Sequence, residues 1–447
     1  MTRELILGIL LEVTRDGEYS HIALRNVLNK YQYLDKKERA FITRVTEGTL
    51  EHMIEIDYII NQFSKVKVNK MKPVIRCIMR SAVYQLKYMD SVPDSAVCNE
   101  AVKLATKKGF HTLKGFVNGV LRNIARNLDN ITYPDKTDYV NYLSIRYSMP
   151  TWILEQWLAD YEKETVETML EDFLKEKPTT IRCNLSQCTK EELKQSLEKE
   201  GVHVENDPYL PYALWITSYD YLADLESFQK GMFYVQDISS MLVAHIADPK
   251  EGDSIIDVCA APGGKSLHMA ELLHGTGHVE ARDLTDYKVN LIQENIERTA
   301  MQDMTAVRWD ATVLDKAAIE TADIVIADLP CSGLGVLGKK TDLKYKMTKE
   351  TQAELITLQR DILSKVQAYV KPNGTLIYST CTIHKGENME NVHWFLKQYP
   401  EFELVPIQDN LCEELKKSIQ EEGCLQLLPG VHQSDGFFIA KFRKVQH

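Results

Sequence analysis

The second half of this chain alternates short apolar segments with helical ones, and this alternation constrains the fold more than any other feature. From Gly252 onward, the segments SIIDVC, HVEAR, TAVRW, DIVIADL and GTLIYSTC have the length and composition of strands. Helical stretches such as KSLHMAELL and TQAELITLQRDILSKVQAYV separate most of them. This order predicts a Rossmann-like α/β domain, with a parallel sheet covered by helices on both faces. The late segments FELVPI and GFFIAKF are predicted to add an antiparallel edge.

Two further domains are predicted ahead of the sheet. Segments such as EHMIEIDYIINQF place apolar residues at spacings of three and four, which indicates an N-terminal all-α bundle. A linker and a small α+β domain follow, where TTIRCNL and ALWIT predict strands and Thr189 with Glu192 predicts a helix-capping box. The chain is therefore predicted to be multidomain, with domains at 1–132, 133–235 and 236–447.

The distribution of charge along the chain favours nucleic-acid binding more than the net charge of −11 suggests. Residues 1–139 carry 22 Lys and Arg against 16 Asp and Glu, so the acidic excess lies in the rest of the chain. No acidic residue interrupts the six basic ones between residues 101 and 128, which are Lys103, Lys107, Lys108, Lys114, Arg122 and Arg126. A phosphate backbone requires such a local basic face. A solvated helix face explains the same run equally well.

Cysteine usage and hydropathy indicate a reduced, cytoplasmic protein. The nine cysteines include no C-x-x-C pair, and Cys183 with Cys188 lacks a second pair, so we predict no metal site. No run of about 18 apolar residues is present, and therefore no membrane association is expected. We also predict a monomer without an obligate protein partner.

The ends of the predicted parallel strands carry a candidate cofactor pocket, because ligands bind at the carboxyl edge of such sheets. Small residues and glycines follow the first strand, and they let the backbone and a helix N-terminus approach a ligand. Asp283, Asp310 and Asp328 end the next three strands. Each alone could be a helix cap or loop residue, but three at successive strand ends predict a shared nucleoside pocket. Dinucleotide and P-loop glycine patterns are absent.

Two cysteines lie at neighbouring strand ends, Cys331 shortly after the fourth strand and Cys381 at the end of the fifth. A single cysteine is more often a buried filler, but two at this edge predict catalysis. Carbon 5 of cytosine is a poor nucleophile, and addition of a thiolate at C6 enables it to attack an activated methyl group. Asp328 is placed to take up the charge that develops near N3, and Cys331 to assist product release.

These motifs resemble those of the RNA cytosine-C5 methyltransferases of the RsmB/Nop2/Sun group. The matching runs are Asp257 to Lys265, Asp328 to Gly333, Ser379 to Thr382, Gly386-Glu387-Asn388 and Asp435 to Phe438. The resemblance implies that Cys381 is the nucleophile and that Cys331 assists release. It also implies an S-adenosylmethionine site formed by Cys259, Ala260, Ala261, Pro262, Gly263, Gly264, Lys265, Asp283, Asp310 and Asp328. Two positions depart from the common pattern, Leu329 in place of Ala and Lys288 in place of Arg.

The N-terminal region resembles the NusB-type RNA-binding bundle through Asn99 to Val102 and Gly115 to Arg122. A bundle and a catalytic domain in one chain is similar to the bacterial 16S rRNA methyltransferase B subgroup, which implies 16S rRNA as the partner. The predicted RNA contacts are Lys107, Lys108, Lys114, Asn118, Arg122, Arg182 and Asn184. A polar pair at a strand edge explains Arg182 and Asn184 equally well.

Two alternatives remain open at the sequence level. One keeps the chemistry and makes tRNA the substrate, and the NusB-like likeness favours rRNA only by analogy. The other is a non-catalytic RNA-binding assembly or antitermination factor, which the intact set of Asp328, Cys331 and Cys381 disfavours.

Overall fold

The computed structural model describes residues 1–445. Its helices are α1 (Thr2–Thr14), α2 (Ser20–Lys30), α3 (Lys36–Glu51), α4 (Met53–Phe63), α5 (Pro73–Tyr88), α6 (Asp94–Lys107), α7 (Lys114–Arg126), α8 (Tyr139–Tyr147), α9 (Thr151–Asp160), α10 (Lys163–Phe173), α11 (Lys190–Lys199), α12 (Glu226–Gln229), α13 (Ile238–Ala247), α14 (Gly264–Leu272), α15 (Asp286–Arg298), α16 (Leu343–Lys346), α17 (Lys349–Val366), α18 (Met389–Gln398) and α19 (Glu413–Lys416). Across this part of the chain, none of the helices is long and apolar enough to span a bilayer.

The strands are β1 (Thr179–Cys183), β2 (His203–Asn206), β3 (Ala213–Thr217), β4 (Phe233–Val235), β5 (Ser254–Asp257), β6 (His278–Asp283), β7 (Met304–Arg308), β8 (Ala322–Asp328), β9 (Val370–Thr380), β10 (Phe402–Leu404), β11 (Ile419–Glu421), β12 (Cys424–Leu427) and β13 (Phe437–Lys444). The chain forms two compact units. The first comprises Met1–Leu174 with Leu337–Lys346, and the second comprises the remainder of the described residues.

The first unit is all-α, as the sequence predicts. One apolar core joins residues of α1 to α7, including Ile9, Ile59, Val83 and Leu121. The unit continues beyond residue 132, because α8, α9 and α10 also belong to it.

The segment Leu337–Lys346 also belongs to the first unit, although it follows Cys331 closely in the chain. Asp342 accepts a hydrogen bond of 2.6 Å from the Ser20 hydroxyl. Lys344 is 4% exposed and donates to the Glu51 carbonyl at 2.9 Å. Burial lowers the pKa of Lys344 to about 8. Polar side chains thus join this segment to α2 and α3.

The second unit contains a four-stranded antiparallel sheet in the order β2-β3-β1-β4, which confirms the small α+β domain. Alternate residues of β1, Ile181 and Cys183, pack in one apolar cluster with α11. The capping box at the start of α11 is present, since Thr189 and Glu192 each accept from the other's backbone N–H.

A larger sheet of the second unit has the order β11-β12-β13-β9-β8-β5-β6-β7, and β10 pairs with β13. Strands β9, β8, β5, β6 and β7 are parallel, whereas the predicted strands β10 and β13 are antiparallel, and β12 and β11 extend the sheet beyond β13. Along β8, Ile324 and Ile326 pack in the cluster that includes α13 and α14, while Val325 and Ala327 pack in the cluster with α17. Helices therefore cover both faces, and the strand ends stay available to a ligand.

Candidate active site

The turn after β5 approaches the end of β6 closely. Gly263 has φ +104°, and a Cβ at this position would lie 3.4 Å from Ile292. It directly precedes α14, whose first backbone N–H groups lack helical acceptors. The Ala261 N–H donates to Asp283 at 3.0 Å, and Lys288 lies 3.0 Å from the other oxygen of that carboxylate. Lys288 thus forms an ion pair with Asp283, at the position where the sequence departs from the arginine of the family that it resembles.

These groups fit an adenosyl amino acid. Amide N–H groups suit a carboxylate, and acidic side chains suit ribose hydroxyls or an exocyclic amine. Asp310 is exposed at the end of β7, and its Oδ1 accepts from the backbone and hydroxyl of Thr312. The backbone N–H of Trp309, the residue before Asp310, donates to the Asp283 carbonyl at 3.0 Å. Asp310 and Asp283 therefore lie at the same edge of the sheet. That Asp310 and Asp283 share one nucleoside pocket remains a prediction.

The two predicted thiols converge. The Sγ atoms of Cys331 and Cys381 lie 3.2 Å apart, and both residues are half-buried. Parallel pairing of β8 with β9 sets this geometry, because Asp328 is in register with Ser379. The Gly335 N–H also donates to the Cys381 carbonyl at 3.1 Å. The hydrogen bond with Cys381 and burial raise the pKa of Cys331 well above its ordinary value.

An ion pair adjoins the thiols. The Lys265 ammonium lies 2.8 Å from Asp328 Oδ2, and the Ser379 hydroxyl donates to Asp328 Oδ1 at 2.7 Å. Burial would lower the pKa of Lys265, but the charges of Asp328, Asp257 and Cys381 raise it above its usual value. Lys265 is therefore a charged group that favours negative charge on Cys381. From the sequence, Lys265 is predicted to contact the cofactor alone, and the Ser379 contact follows only from strand register.

The prediction that Arg182 and Asn184 contact RNA is wrong in this structure, because both side chains are fully buried. Arg182 donates to Glu271 at 3.1 Å and to the Gly264 carbonyl at 3.0 Å, and its guanidinium lies 4.3 Å from the centre of the Tyr234 ring. Asn184 donates to the Gly231 carbonyl at 2.8 Å. Arg182 therefore supports the first residue of α14 beside the cofactor turn.

The predicted basic face of the first unit divides into two groups. Lys107 and Lys108 both contact Glu4, at 2.7 and 3.1 Å, so part of their charge is neutralised. A groove of about 520 Å³ lies on α6 and α7, and its lining includes Lys103, Lys114, Asn118 and Arg122. Arg122 donates to Asn118 at 2.9 Å and to Asn99 at 3.2 Å.

Comparisons with known proteins agree with this architecture. Residues 244–443 match the family model described as 16S rRNA methyltransferase RsmB/F. Residues 1–126 match the NusB family, and residues 149–220 match the ferredoxin-like domain of RsmF/B-like methyltransferases. The fold and the strand-edge pocket thus belong to the S-adenosylmethionine-dependent RNA methyltransferases.

Individual relatives narrow the class. The chain is 35% identical to the probable ribosomal RNA small subunit methyltransferase B of Bacillus subtilis, over 99% of this chain and 98% of that one. The corresponding Synechocystis protein is 32% identical, over 99% of each chain. The chain belongs to the RsmB/F family of 16S rRNA methyltransferases.

Solved structures share this fold. The crystal structure of PH0851 has a TM-score of 0.84 at 26% identity and covers 99% of this chain and 98% of its own. NSun6 from Pyrococcus horikoshii with SFG has a TM-score of 0.58 at 25% identity, over 66% of this chain and 97% of its own.

Proposed function

We propose that this enzyme transfers a methyl group to C5 of a cytosine in 16S rRNA and that Cys381 is the covalent nucleophile. The observation that carries the proposal is the 3.2 Å separation of the Cys331 and Cys381 sulfurs beside the Lys265–Asp328 ion pair. A methyl transfer to an exocyclic amine or a hydroxyl requires no such thiol pair.

The surroundings favour Cys381 as the attacking thiolate. Cys331 has a raised pKa and remains a thiol that donates to the Cys381 sulfur. The Lys265 ammonium favours the negative charge on Cys381. A thiolate is the nucleophilic form of cysteine, so this division of roles activates one sulfur and keeps the other protonated.

Addition and methyl transfer follow in sequence. The Cys381 thiolate forms a bond to C6, the ring electrons shift to N3, and N3 takes up a proton from the Lys265–Asp328 pair. Bound S-adenosylmethionine supplies an electrophilic methyl group, which C5 then accepts. Loss of the C5 proton expels the Cys381 thiolate from C6 and returns the N3 proton to the ion pair, so one proton is released overall.

Cys331 is proposed as the base for the C5 proton. Its high pKa depends first on its hydrogen bond with Cys381. Once the Cys381 sulfur is bonded to C6, that sulfur no longer carries a thiolate charge, and Cys331 loses its own proton more readily. Cys331 releases that proton to solvent, and the resulting thiolate accepts the C5 proton at the elimination step.

The substrate proposal has two supports. The relatives from Bacillus subtilis and Synechocystis are both described as ribosomal RNA small subunit methyltransferases. The first unit matches the NusB family and carries the basic groove, which we propose binds the phosphate backbone. Enzymes that modify a base extrude it from its stack, so the target cytosine would enter the thiol pocket singly.

The nucleophile is tested with two alanine variants and a matched thiol control. Cys381→Ala is expected to bind S-adenosylmethionine and to lose methylation. Cys331→Ala is expected to accumulate a protein–RNA adduct that survives denaturing electrophoresis, and the double variant should form none. Cys412→Ala, at a half-buried thiol outside the pocket, should behave as wild type. Full turnover by Cys381→Ala would refute the nucleophile assignment.

The substrate is tested separately. Mass spectrometry should locate one 5-methylcytosine in 16S rRNA that disappears from a strain lacking this protein. Loss of a tRNA methylcytosine with unchanged 16S rRNA would overturn the rRNA assignment and favour the tRNA alternative.

A further inference from the structure

The run Gly386-Glu387-Asn388 follows Cys381 closely, and the steps proposed above give it no role. Glu387 and Asn388 are 0% and 1% exposed. A buried carboxylate needs hydrogen bonds or cations to compensate its lost hydration, so its partners indicate its role. Those partners are the residues beside the two catalytic cysteines.

Glu387 holds the loop of Cys331. The backbone N–H of Ser332 donates to Glu387 Oε2 at 2.8 Å, and the Ser332 hydroxyl donates to Oε1 at 2.6 Å. The Gln359 amide donates to Glu387 Oε2 at 3.0 Å. The same amide also donates to the Pro330 carbonyl, in the loop of Cys331, at 2.9 Å. Glu387 therefore fixes the residue directly after Cys331 by both its backbone and its side chain.

Asn388 holds the other loop on both sides of Cys381. The Thr380 hydroxyl donates to Asn388 Oδ1 at 2.6 Å, and Asn388 Nδ2 donates to the Thr382 carbonyl at 3.0 Å. Nδ2 also donates to Gln426 at 2.9 Å, which connects the loop to β12. The residues before and after the Cys381 position are thus bonded to one side chain.

A direct bond joins the two loops. The hydroxyls of Ser332 and Thr382 lie 2.8 Å apart. A hydroxyl has one hydrogen, and Ser332 donates its own to Glu387, so Thr382 must donate to Ser332. The chain of bonds runs from Thr382 through Ser332 to the Glu387 carboxylate, which accepts at its end.

The electrostatics of Glu387 agree with this direction. Burial opposes ionisation, but the His384 ring, 3.4 Å away, and the hydrogen bonds from Ser332 and Gln359 hold the pKa of Glu387 below its usual value. Its negative charge is also among the causes that raise the pKa of Cys331.

We infer that Glu387, together with Asn388, is a positioning residue that sets the spacing of the two catalytic sulfurs and helps to keep Cys331 protonated. The inference rests on the proposed roles of Cys331 and Cys381. Glu387 itself acts only through the loops that it holds.

The decisive variant is Glu387→Gln, which keeps the shape but leaves one acceptor oxygen where two accept now. We expect kcat to fall about 100-fold, the effect of misplacing a reacting group by about 1 Å, while the Kd for S-adenosylmethionine changes less than twofold. Glu390→Gln is the matched control, because it makes the same exchange at an exposed position three residues away. Wild-type kcat in Glu387→Gln would overturn the inference.

A second measurement does not require RNA or methylation. In a Cys381→Ser background, iodoacetamide alkylation of Cys331 is followed by peptide mass spectrometry across pH. Adding Glu387→Gln should move the midpoint of the pH dependence of Cys331 alkylation to lower pH, because a negative charge near Cys331 is removed. An unmoved midpoint contradicts the electrostatic part of the inference. A moved midpoint in a protein whose wild type makes no methylcytosine would instead reject the proposed function and leave only the electrostatic effect of Glu387 on Cys331 standing.

Ser332→Ala covers the case in which Glu387→Gln does not fold. It removes one hydroxyl bond to Glu387 and the bond to Thr382 while the backbone contact stays. We expect a smaller fall in kcat, about tenfold, with unchanged S-adenosylmethionine binding. Turnover at the wild-type rate in this variant would also overturn the inference.

Discussion

Replacing Arg182 by methionine should destabilise the second unit strongly. The guanidinium is completely buried and lies 3.1 Å from Glu271, which is 6% exposed. In the variant, Glu271 keeps its 2.7 Å bond from the Leu185 N–H but loses its cationic partner. Removing one member of a buried ion pair costs about 3–5 kcal/mol, because the remaining charge stays out of water.

The cost of this replacement should depend on pH. Burial already raises the pKa of Glu271, while Arg182 lowers it, so the variant raises that pKa further. A folded-state pKa above the unfolded value means that the folded state binds more protons, and stability then falls as pH rises through that interval. The variant should therefore lose most stability near neutral pH and regain part of it as the pH approaches about 4.3, the ordinary value for glutamate.

The measurement is pulse proteolysis in urea, following fragments from residues 175–336. Glu271→Gln added to Arg182→Met should recover most of the loss, because the buried charge is then gone. A loss below about 1 kcal/mol in the single variant, the size typical of a surface ion pair, would refute the reasoning. Equal stabilities of the single and double variants at neutral pH would do the same.

Three further expectations concern other sites. Asp283→Asn should weaken S-adenosylmethionine binding in calorimetry about tenfold, since it loses the Lys288 ion pair beside the cofactor turn. Arg122→Glu should lower the salt dependence of RNA binding by about one phosphate contact, and Lys107→Glu, whose partner Glu4 already neutralises it, should lower it less. The first unit should gain stability between about pH 8 and pH 10.5, because the lowered pKa of Lys344 leaves the unfolded state with more bound protons; urea midpoints of Lys344→Met should lack that gain.

The convergence of the two thiols could be predicted from sequence because strand order brings the ends of their strands together. Parallel strands end at one edge, and neighbouring ends bring Cys331 and Cys381 together. The same reasoning places Asp283 and Asp310 at one edge of the sheet. Alternation along the strands likewise indicated helices on both faces of the larger sheet.

Burial of Arg182 could not be predicted from sequence. A lone arginine between two apolar strand residues suggests a solvent-facing side chain, since strand residues alternate between faces. Its partner Glu271 lies 89 residues away, and only the packed fold brings the two together. Strands β2, β11 and β12 have no counterpart in the sequence prediction. The position of Glu387 beneath Ser332 depends likewise on contacts 55 residues apart.

The membership of Leu337–Lys346 in the first unit affects how this protein can be dissected. A fragment ending near Leu174 would leave the Ser20 hydroxyl and the Glu51 carbonyl without Asp342 and Lys344, which now satisfy them. The complementary fragment would carry those ten residues without their binding surface. Each fragment would therefore lack contacts that the intact chain provides. Fragments of this protein should keep Leu337–Lys346 together with the helices of the first unit.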